Sequence, residues 1–216
     1  MQLLDGWGAV FAILTLLVGL VLHEVMHAAT ASMFGDPTAR DAGRLTLNPL
    51  RHLDPFGSVI LPGALLLLAI TGTGSGAVFG YARPVPVQIG RLRRPRIDSL
   101  LVSLAGPTTN LLLGFLGALV LRLLAVPVAP RLLQFLLVWV LINLVVAAFN
   151  FLPVPPLDGS EIVAALLPER LRSVWYGLVR QFGFIVLLVI LLLFPRVLDT
   201  LISPILDFLI RLALSP

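Results

Sequence analysis

Long apolar stretches alternate with short polar loops along this chain. The apolar segments cover residues 7–34, 56–71, 98–126, 132–152 and 173–194, and a weaker one covers 197–214. A helix of roughly 20 apolar residues is needed to cross a hydrocarbon layer of about 30 Å. The pattern therefore predicts an all-α polytopic membrane protein with five to six membrane segments, forming a single integral membrane domain over residues 1–216.

Two of these segments allow more than one interpretation. Segment 56–71 is short for a full span, and the YARPVPVQIG stretch after it alternates Val and Pro. That alternation is compatible with a small membrane-associated β element near residues 80–90, from whose centre the prolines would be excluded, and equally with a plain Pro-rich loop. Residues 56–90 are then either re-entrant or cross the membrane and return. Segment 197–214, which carries Asp199, Asp207 and Arg211, is either an interfacial helix or a sixth span.

Composition and charge agree with a membrane protein and orient it. Of 216 residues, 58% are hydrophobic and 12% charged, and the mean hydropathy is +1.03. All fifteen basic residues are Arg, and ten of them cluster at 40–51, 91–96 and 170–180. Cytoplasmic loops carry such clusters, so we expect a multi-pass protein of the cell membrane with its N terminus outside and no nucleic-acid partner. No basic region precedes the first apolar run, so residues 8–34 are expected to remain in the mature protein.

Three ionisable residues interrupt the first apolar run in the sequence HEVMH. His23 and His27 are four residues apart, so on a helix both imidazoles can reach one metal ion. Glu24 would not be a ligand, but it can take a proton from a water that the metal activates. An ionisable residue in the middle of a membrane helix costs on the order of 2.5–3.5 kcal/mol, which favours a functional role.

A catalytic zinc usually has three protein ligands, and without cysteine the third must be another His or a carboxylate. The candidates are His52, Asp54, Asp158 and Glu161. Asp158 is favoured because the prolines of NFLPVPPLDG break the preceding helix and Gly159 lets the chain turn. Asp158 could instead be a turn former or a helix N-cap, and His52 and Asp54 could be loop residues or supports for the ligands.

The pair of motifs resembles the site-2 protease family of intramembrane zinc metalloproteases. The resemblance covers residues 8–165, the expected catalytic core, and includes SLAGPTTN at 103–110. It implies a three-helix core, one Zn²⁺ held by His23, His27 and Asp158, Glu24 as general base and Asn150 near the scissile carbonyl. Asn110 matches the asparagine of the family's middle core helix, with its role left open.

Two further stretches narrow the resemblance. NPLRHLDPFG at 48–57 and YARPVPV at 81–87 are similar to a small subgroup without a peptide-binding regulatory domain. In this chain the C-terminal helices, residues 173–216, would follow the core.

The resemblance implies hydrolysis of peptide bonds in transmembrane substrates, as in regulated intramembrane proteolysis. The expected partners are membrane lipids and a transmembrane protein or peptide, with the zinc site toward the cytoplasm. A metal transporter using the same His pair is the alternative, and it does not need Glu24. A non-proteolytic homologue that only binds membrane proteins is a further alternative. Neither the substrate nor the oligomeric state follows from the sequence.

Overall fold

Helices dominate the computed structural model, which describes residues 5–60, 82–124, 129–193 and 195–214. In chain order these helices are α1 (Gly6–Met33), α2 (Thr38–Asp41), α3 (Pro95–Leu123), α4 (Pro130–Asn150), α5 (Ser160–Leu166), α6 (Glu169–Leu193) and α7 (Pro195–Leu214). The prediction of an all-α protein is confirmed for these residues.

Capping residues mark both ends of α1. Asp5 is the N-cap, and its carboxylate accepts a hydrogen bond from the Gly8 backbone amide at 2.8 Å. At the other end Gly35 has φ of 106°, a left-handed conformation that glycine adopts without strain. The Asp36 amide then donates back to the Ala31 carbonyl at 2.9 Å, which closes the last turn.

Helices α1, α3 and α4 pack against one another and form the core that carries the site. At the start of α1, the Asp5 carboxylate binds both Arg131 and Gln134 of α4, each at 2.7 Å. Away from the core these helices expose large apolar side chains, such as Ile13 on α1 and Leu112 on α3. This surface is that of helices that face lipid.

Among the described residues, three helices are long and apolar enough to cross a membrane: α1, α3 and α4. Helix α6 would be a fourth if its two parts, bent by 65°, form one broken span. Their bounds lie within a few residues of the predicted segments 7–34, 98–126 and 132–152. The total of five to six segments stays a prediction.

The last helix, α7, lies against the core. Leu209 and Ala213 of α7 are buried in one cluster with Ala118 of α3 and with Leu144 and Ala148 of α4. Predicted segment 197–214 is therefore helical, although it is not among the helices apolar enough to span.

The polar loops fold back over the end of α1. Asp36 accepts a hydrogen bond from the Gln88 amide at 2.6 Å, and the Arg93 amide donates to the Phe34 carbonyl at 3.0 Å. The Arg83 amide donates to the His52 carbonyl at 2.8 Å, which joins the stretch 82–88 to the loop around residue 50. These hydrogen bonds join the loop around residue 50 and the stretch 82–93 to each other and to the segment that follows α1.

The predicted β element near 80–90 is wrong for residues 82–90. Residues 82–88 have no regular secondary structure and no partner strand among the described residues, and Ile89–Arg91 form a turn of 3₁₀ helix. Pro84 and Pro86 have no amide hydrogen, so this stretch lacks the donors that a ladder needs. Most of the predicted segment 56–71 lies outside the described residues, as do residues 80 and 81; of that segment only the π-helical turn Pro55–Ile60 is described.

Candidate metal centre

Helix α1 places His23 and His27 one turn apart, with their ring centroids 4.6 Å from each other. Their Nε2 atoms lie 3.1 Å and 3.4 Å from Oδ2 of Asp158, which follows α4. One possible ligand atom of each of these three residues thus lies within 4.8 Å of the other two. In the described part of the chain, no other three His, Asp or Glu residues come together in this way. His23 and Asp158 are 135 positions apart in sequence, and the fold brings their side chains into contact.

The spacing of these atoms suits a zinc ion. Zinc binds histidine nitrogen and carboxylate oxygen at about 2.0–2.2 Å, so two ligands of one tetrahedral ion lie about 3.3–3.4 Å apart. The observed separations of 3.1 Å and 3.4 Å agree with that geometry. Two imidazoles and one carboxylate are also a ligand set that leaves a fourth position for water.

Hydrogen bonds behind the imidazoles fix which nitrogen faces Asp158. Nδ1 of His27 donates to the Val102 carbonyl at 2.6 Å, and Nδ1 of His23 donates to Oδ1 of Asn110 at 2.7 Å. Each Nδ1 therefore carries a proton, and Nε2 is the nitrogen of each imidazole that faces Asp158. Metal-binding histidines in proteins are held in this way.

The amide of Asn110 is itself fixed by two bonds. Its Nδ2 donates to Oδ1 of Asn143 at 3.0 Å and to the Gly19 carbonyl at 3.2 Å, and Asn110 and Asn143 are fully buried. Both amide hydrogens are thus used, so the carbonyl oxygen faces His23. Asn110 of α3 and Asn143 of α4 thereby orient the imidazole of His23 on α1.

Gly106 on α3 provides the space beside the imidazoles. A Cβ atom at this position would lie 2.4 Å from Nε2 of His27 and 2.6 Å from Nε2 of His23. No side chain fits at those distances, so any residue larger than glycine must push the two nitrogens away. The missing side chain leaves room where a shared ion would lie.

Close packing also positions Asp158. A Cβ on the next residue, Gly159, would lie 2.3 Å from the Phe151 carbonyl oxygen, while the φ of Gly159 is an ordinary −59°. Glycine is therefore required here by close approach of the backbone and not by the turn that the sequence suggested. Burial would raise the pKa of the Asp158 carboxyl, but the neighbouring imidazoles lower it to about 2, so it is a carboxylate at neutral pH.

The other candidates for the third ligand have different partners. Asp54 accepts hydrogen bonds from the amides of Phe56 and Gly57, as a turn residue does. Glu161 accepts a hydrogen bond from the Tyr176 hydroxyl at 2.8 Å.

His52 also lies outside the group of three. Its Nε2 donates to the Thr46 carbonyl at 2.8 Å, and its Nδ1 is buried without a hydrogen-bond partner in the described structure. Asp158 is therefore the one candidate that the structure brings to both histidines of α1.

The two predicted catalytic residues lie in different surroundings. Glu24 is buried beside the group and interacts electrostatically with His23, His27, Asp158 and His52. Asn150 is half-buried at the end of α4, and its Nδ2 donates to the Val146 carbonyl at 3.0 Å. It makes no hydrogen bond to the ligand group.

Reasoning from sequence missed two residues of this centre. Asn143 is an amide within the apolar run WVLINLVV, and the cost of a polar group in a membrane helix was a signal that could have singled it out. Gly106 was noticed only as part of SLAGPTTN, and nothing in the sequence showed that two imidazoles face it.

Comparison with known proteins points to one group of relatives. The sequence model of peptidase family M50 matches residues 125–194. YwhC of Bacillus subtilis, provisionally named a zinc metalloprotease, is 41% identical over 187 residues, covering 83% of this chain and 79% of YwhC. Rip2 of Mycobacterium tuberculosis, with the same provisional description, is 36% identical over 177 residues.

The alignment with Rip2 covers 82% of this chain and 64% of Rip2, so the chain spans just under two thirds of that relative. MJ0611 of Methanocaldococcus jannaschii, also provisionally named a zinc metalloprotease, is 30% identical over 67% of this chain and 64% of its own length. No solved structure matches the chain significantly.

Proposed function

The chain belongs to peptidase family M50, the site-2 protease family of zinc metalloproteases, and we propose that it is an intramembrane protease that hydrolyses peptide bonds of transmembrane substrates. The observation that carries this proposal is the meeting of His23 Nε2, His27 Nε2 and Asp158 Oδ2 at 3.1–3.4 Å inside a core of apolar helices. The cleaved substrate, the membrane and the orientation of the chain are parts of the same proposal.

His23, His27 and Asp158 would hold one Zn²⁺. When bound, the ion supplies a Lewis acid that lowers the pKa of water to about 7 and stabilises charge on a carbonyl oxygen. The protein keeps the three ligand atoms in place before the ion arrives, because Asn110 and Val102 fix the imidazoles from behind. This arrangement lowers the cost of ordering the ligands on binding.

Glu24 is proposed as the general base of this HExxH-type centre. It follows His23 directly, lies beside the ligand group and is almost completely buried. A carboxylate so placed can take a proton from the attacking water and later give it to the leaving amine. A base in this role contributes typically 10²–10⁴-fold to a rate.

Asn150 is proposed as a hydrogen-bond donor to the scissile carbonyl. Its amide is bonded to the Val146 carbonyl within its own helix, so it must leave that partner to act on a substrate. Such a donor stabilises the negative charge that develops on the carbonyl oxygen.

The depth of the site fits a substrate within the membrane. Asp5, Arg131 and Gln134 form a polar cluster at the start of α1, and about 27 Å of helix separates Gly6 from Glu24 at 1.5 Å per residue. The hydrocarbon layer is about 30 Å thick. Glu24 then lies near the inner edge of that layer, on the side proposed to be cytoplasmic, where water can reach it.

The test compares Glu24→Gln with Glu169→Gln in the full chain purified in detergent. Glu169 is exposed at the start of α6, and its carboxylate pairs with the guanidinium of Arg172. We expect Glu24→Gln to lower cleavage of a transmembrane peptide at least 100-fold while one zinc ion per chain is kept, and Glu169→Gln to behave as wild type. Cleavage by Glu24→Gln at the wild-type rate would show that the protease assignment is wrong.

A further inference from the structure

Three arginines surround a cavity beside the metal centre that the proposed chemistry does not use. The cavity measures about 440 Å³ and lies between the loop after α2 and the stretch 82–88. Arg44, Arg51 and Arg83 line it together with Leu50, Pro84 and Pro86. No carboxylate in the described part of the chain forms an ion pair with any of the three arginines.

The cluster is held in place by the fold. Arg44 is buried, and its guanidinium donates to the Arg51 carbonyl. The Arg83 amide donates to the carbonyl of His52, the residue after Arg51. Arg51 and Arg83 therefore lie on two segments of the chain that are joined by a backbone hydrogen bond.

The three charges repel one another. Burial lowers the pKa of the Arg44 guanidinium, the like charges of Arg83 and Arg51 lower it further, and the negative charge of Glu24 partly opposes this lowering. Two exposed arginines and one buried arginine line a cavity in which no described carboxylate forms an ion pair with them, and such a cluster of positive charge favours a bound anion. Guanidinium groups match the oxygen geometry of phosphate in particular.

The position of the cavity indicates where that anion comes from. The Pro49–Arg51 turn contacts α1, and both Arg44 and His52 interact electrostatically with Glu24. The cavity therefore lies near the level of Glu24, about 27 Å of helix from Gly6. In a bilayer, the layer of lipid headgroups begins at this depth.

The loop that contributes Arg44 and Arg51 to the cavity also exposes large apolar side chains, of which Leu50 lines the cavity itself. Leu45, Leu47, Leu50 and Phe56 along the same loop are 41%, 67%, 73% and 48% exposed. A run of exposed large apolar side chains beside a basic cavity is suited to the acyl chains and phosphate of one lipid. A freely diffusing anion or an acidic peptide would not need these side chains.

We propose that Arg44, Arg51 and Arg83 form a binding site for the phosphate of an anionic phospholipid headgroup at the edge of the metal centre. The lipid would neutralise the cluster and hold the loop 44–56 and the stretch 82–88 against the membrane surface. The site is separate from the proposed zinc ligands, so this inference does not depend on the protease assignment.

The experiment measures lipid binding to the purified full chain in detergent by native mass spectrometry. Dioleoyl phosphatidylglycerol is the anionic probe, and dioleoyl phosphatidylcholine is the zwitterionic comparison. The test variant is Arg51→Gln with Arg83→Gln, because both side chains are exposed and their replacement spares the buried Arg44. Arg170→Gln is the matched control, an exposed arginine proposed to lie on the same side of the membrane.

We expect one phosphatidylglycerol to bind wild type and Arg170→Gln at least tenfold more tightly than phosphatidylcholine. The double variant should bind phosphatidylglycerol about 25-fold more weakly, since each arginine near an anionic surface contributes about fivefold. If the double variant unfolds at a lower temperature than wild type without lipid, Arg83→Gln alone is measured, with a loss of about fivefold expected. Unchanged binding of phosphatidylglycerol by a folded variant overturns the proposal.

Two further titrations distinguish a lipid phosphate from other anions that could bind the three arginines. Inorganic phosphate at 10 mM and a soluble peptide containing three consecutive Asp residues are each titrated against the same variants. Arginine-dependent binding of inorganic phosphate without binding of phosphatidylglycerol would assign the site to a free ion. The same result with the acidic peptide would assign it to a substrate side chain, and either result overturns the lipid assignment.

Discussion

Replacing Gly106 by alanine tests the geometry of the metal centre with one added carbon atom. The new Cβ would lie 2.4 Å from Nε2 of His27, and an ordinary contact is about 3.4 Å, so that nitrogen must move by about 1.0 Å. For Nε2 of His23 the same comparison, from 2.6 Å to about 3.4 Å, requires about 0.8 Å. Metal–ligand distances tolerate only about ±0.2 Å, so both ligands would be displaced well beyond the range that zinc accepts.

The expected result is a loss of zinc affinity of at least 100-fold, which corresponds to about 2.7 kcal/mol of binding free energy. The helix itself is not weakened, because alanine is favoured over glycine in a helix by about 1 kcal/mol. The assay is zinc content by mass spectrometry of the metal, followed by competition against a chelator of known affinity. Thermal unfolding in detergent checks that the variant is folded.

Gly177→Ala is the matched control, since a Cβ on this α6 glycine would have no neighbour within 4 Å. It should bind zinc as wild type does. If folded Gly106→Ala keeps one zinc per chain with wild-type affinity, then the two Nε2 atoms do not face a shared ion beside α3. The placement of the metal centre given above would then be wrong.

Four further substitutions probe the third zinc ligand, the support of His23 and the loop after α1. Asp158→Ala should lose zinc, because it removes the carboxylate that meets both histidines, whereas His52→Ala should keep it; zinc content measures both. Asn110→Ala should weaken zinc binding by about 10–100-fold while leaving some bound, because it removes the acceptor that orients His23, and chelator competition measures the loss. Asp36→Asn should lower thermal stability at pH 7 more than at pH 3. Burial would raise the pKa of the Asp36 carboxyl, but hydrogen bonds to the folded-state carboxylate lower it. Its stabilisation is therefore present above the unfolded pKa of about 3.9 and is lost as pH falls through the folded value.

Each of these changes has an outcome that contradicts it. If His52→Ala lost zinc and Asp158→Ala kept it, then His52 and not Asp158 would be the third zinc ligand. An Asn110→Ala protein with unchanged affinity would show that the buried amide does not support the metal ligand. For Asp36→Asn, a stability difference from wild type that is equal at pH 7 and pH 3 would mean that the charge of the carboxylate is not what holds the loop.

Much of the helical core could be predicted because the necessary information is local. Runs of apolar residues define α1, α3 and α4, and Pro95 and Pro130 mark where two of them begin. Proline at the first turn of a helix is compatible with its missing amide hydrogen. The family and its motif residues could also be identified locally, since HEVMH and NFLPVPPLDG are short and contiguous.

Local patterns misled where hydrogen-bond partners decide the conformation. The Val and Pro alternation of 82–88 was compatible with a strand, but one hydrogen bond each to Asp36 and His52 holds this stretch, and it has no partner strand in the described part of the chain. Gly159 suggested a turn, whereas the structure requires it for close contact with the Phe151 carbonyl. A strand partner and a crowded carbonyl are properties of the packed chain and not of the segment.

The sequence by itself determined the helices, the membrane character and the residue types able to bind a metal. Only the tertiary structure decided that Asp158, of four candidates, lies beside both histidines. It also decided that Asn110 and Asn143 fix the imidazole of His23, and that Gly106 leaves space beside Nε2 of His23 and His27. The reason is that helix formation depends on neighbours in sequence, whereas ligand distances depend on how three helices and one distant loop pack. A short motif contains no information about that packing.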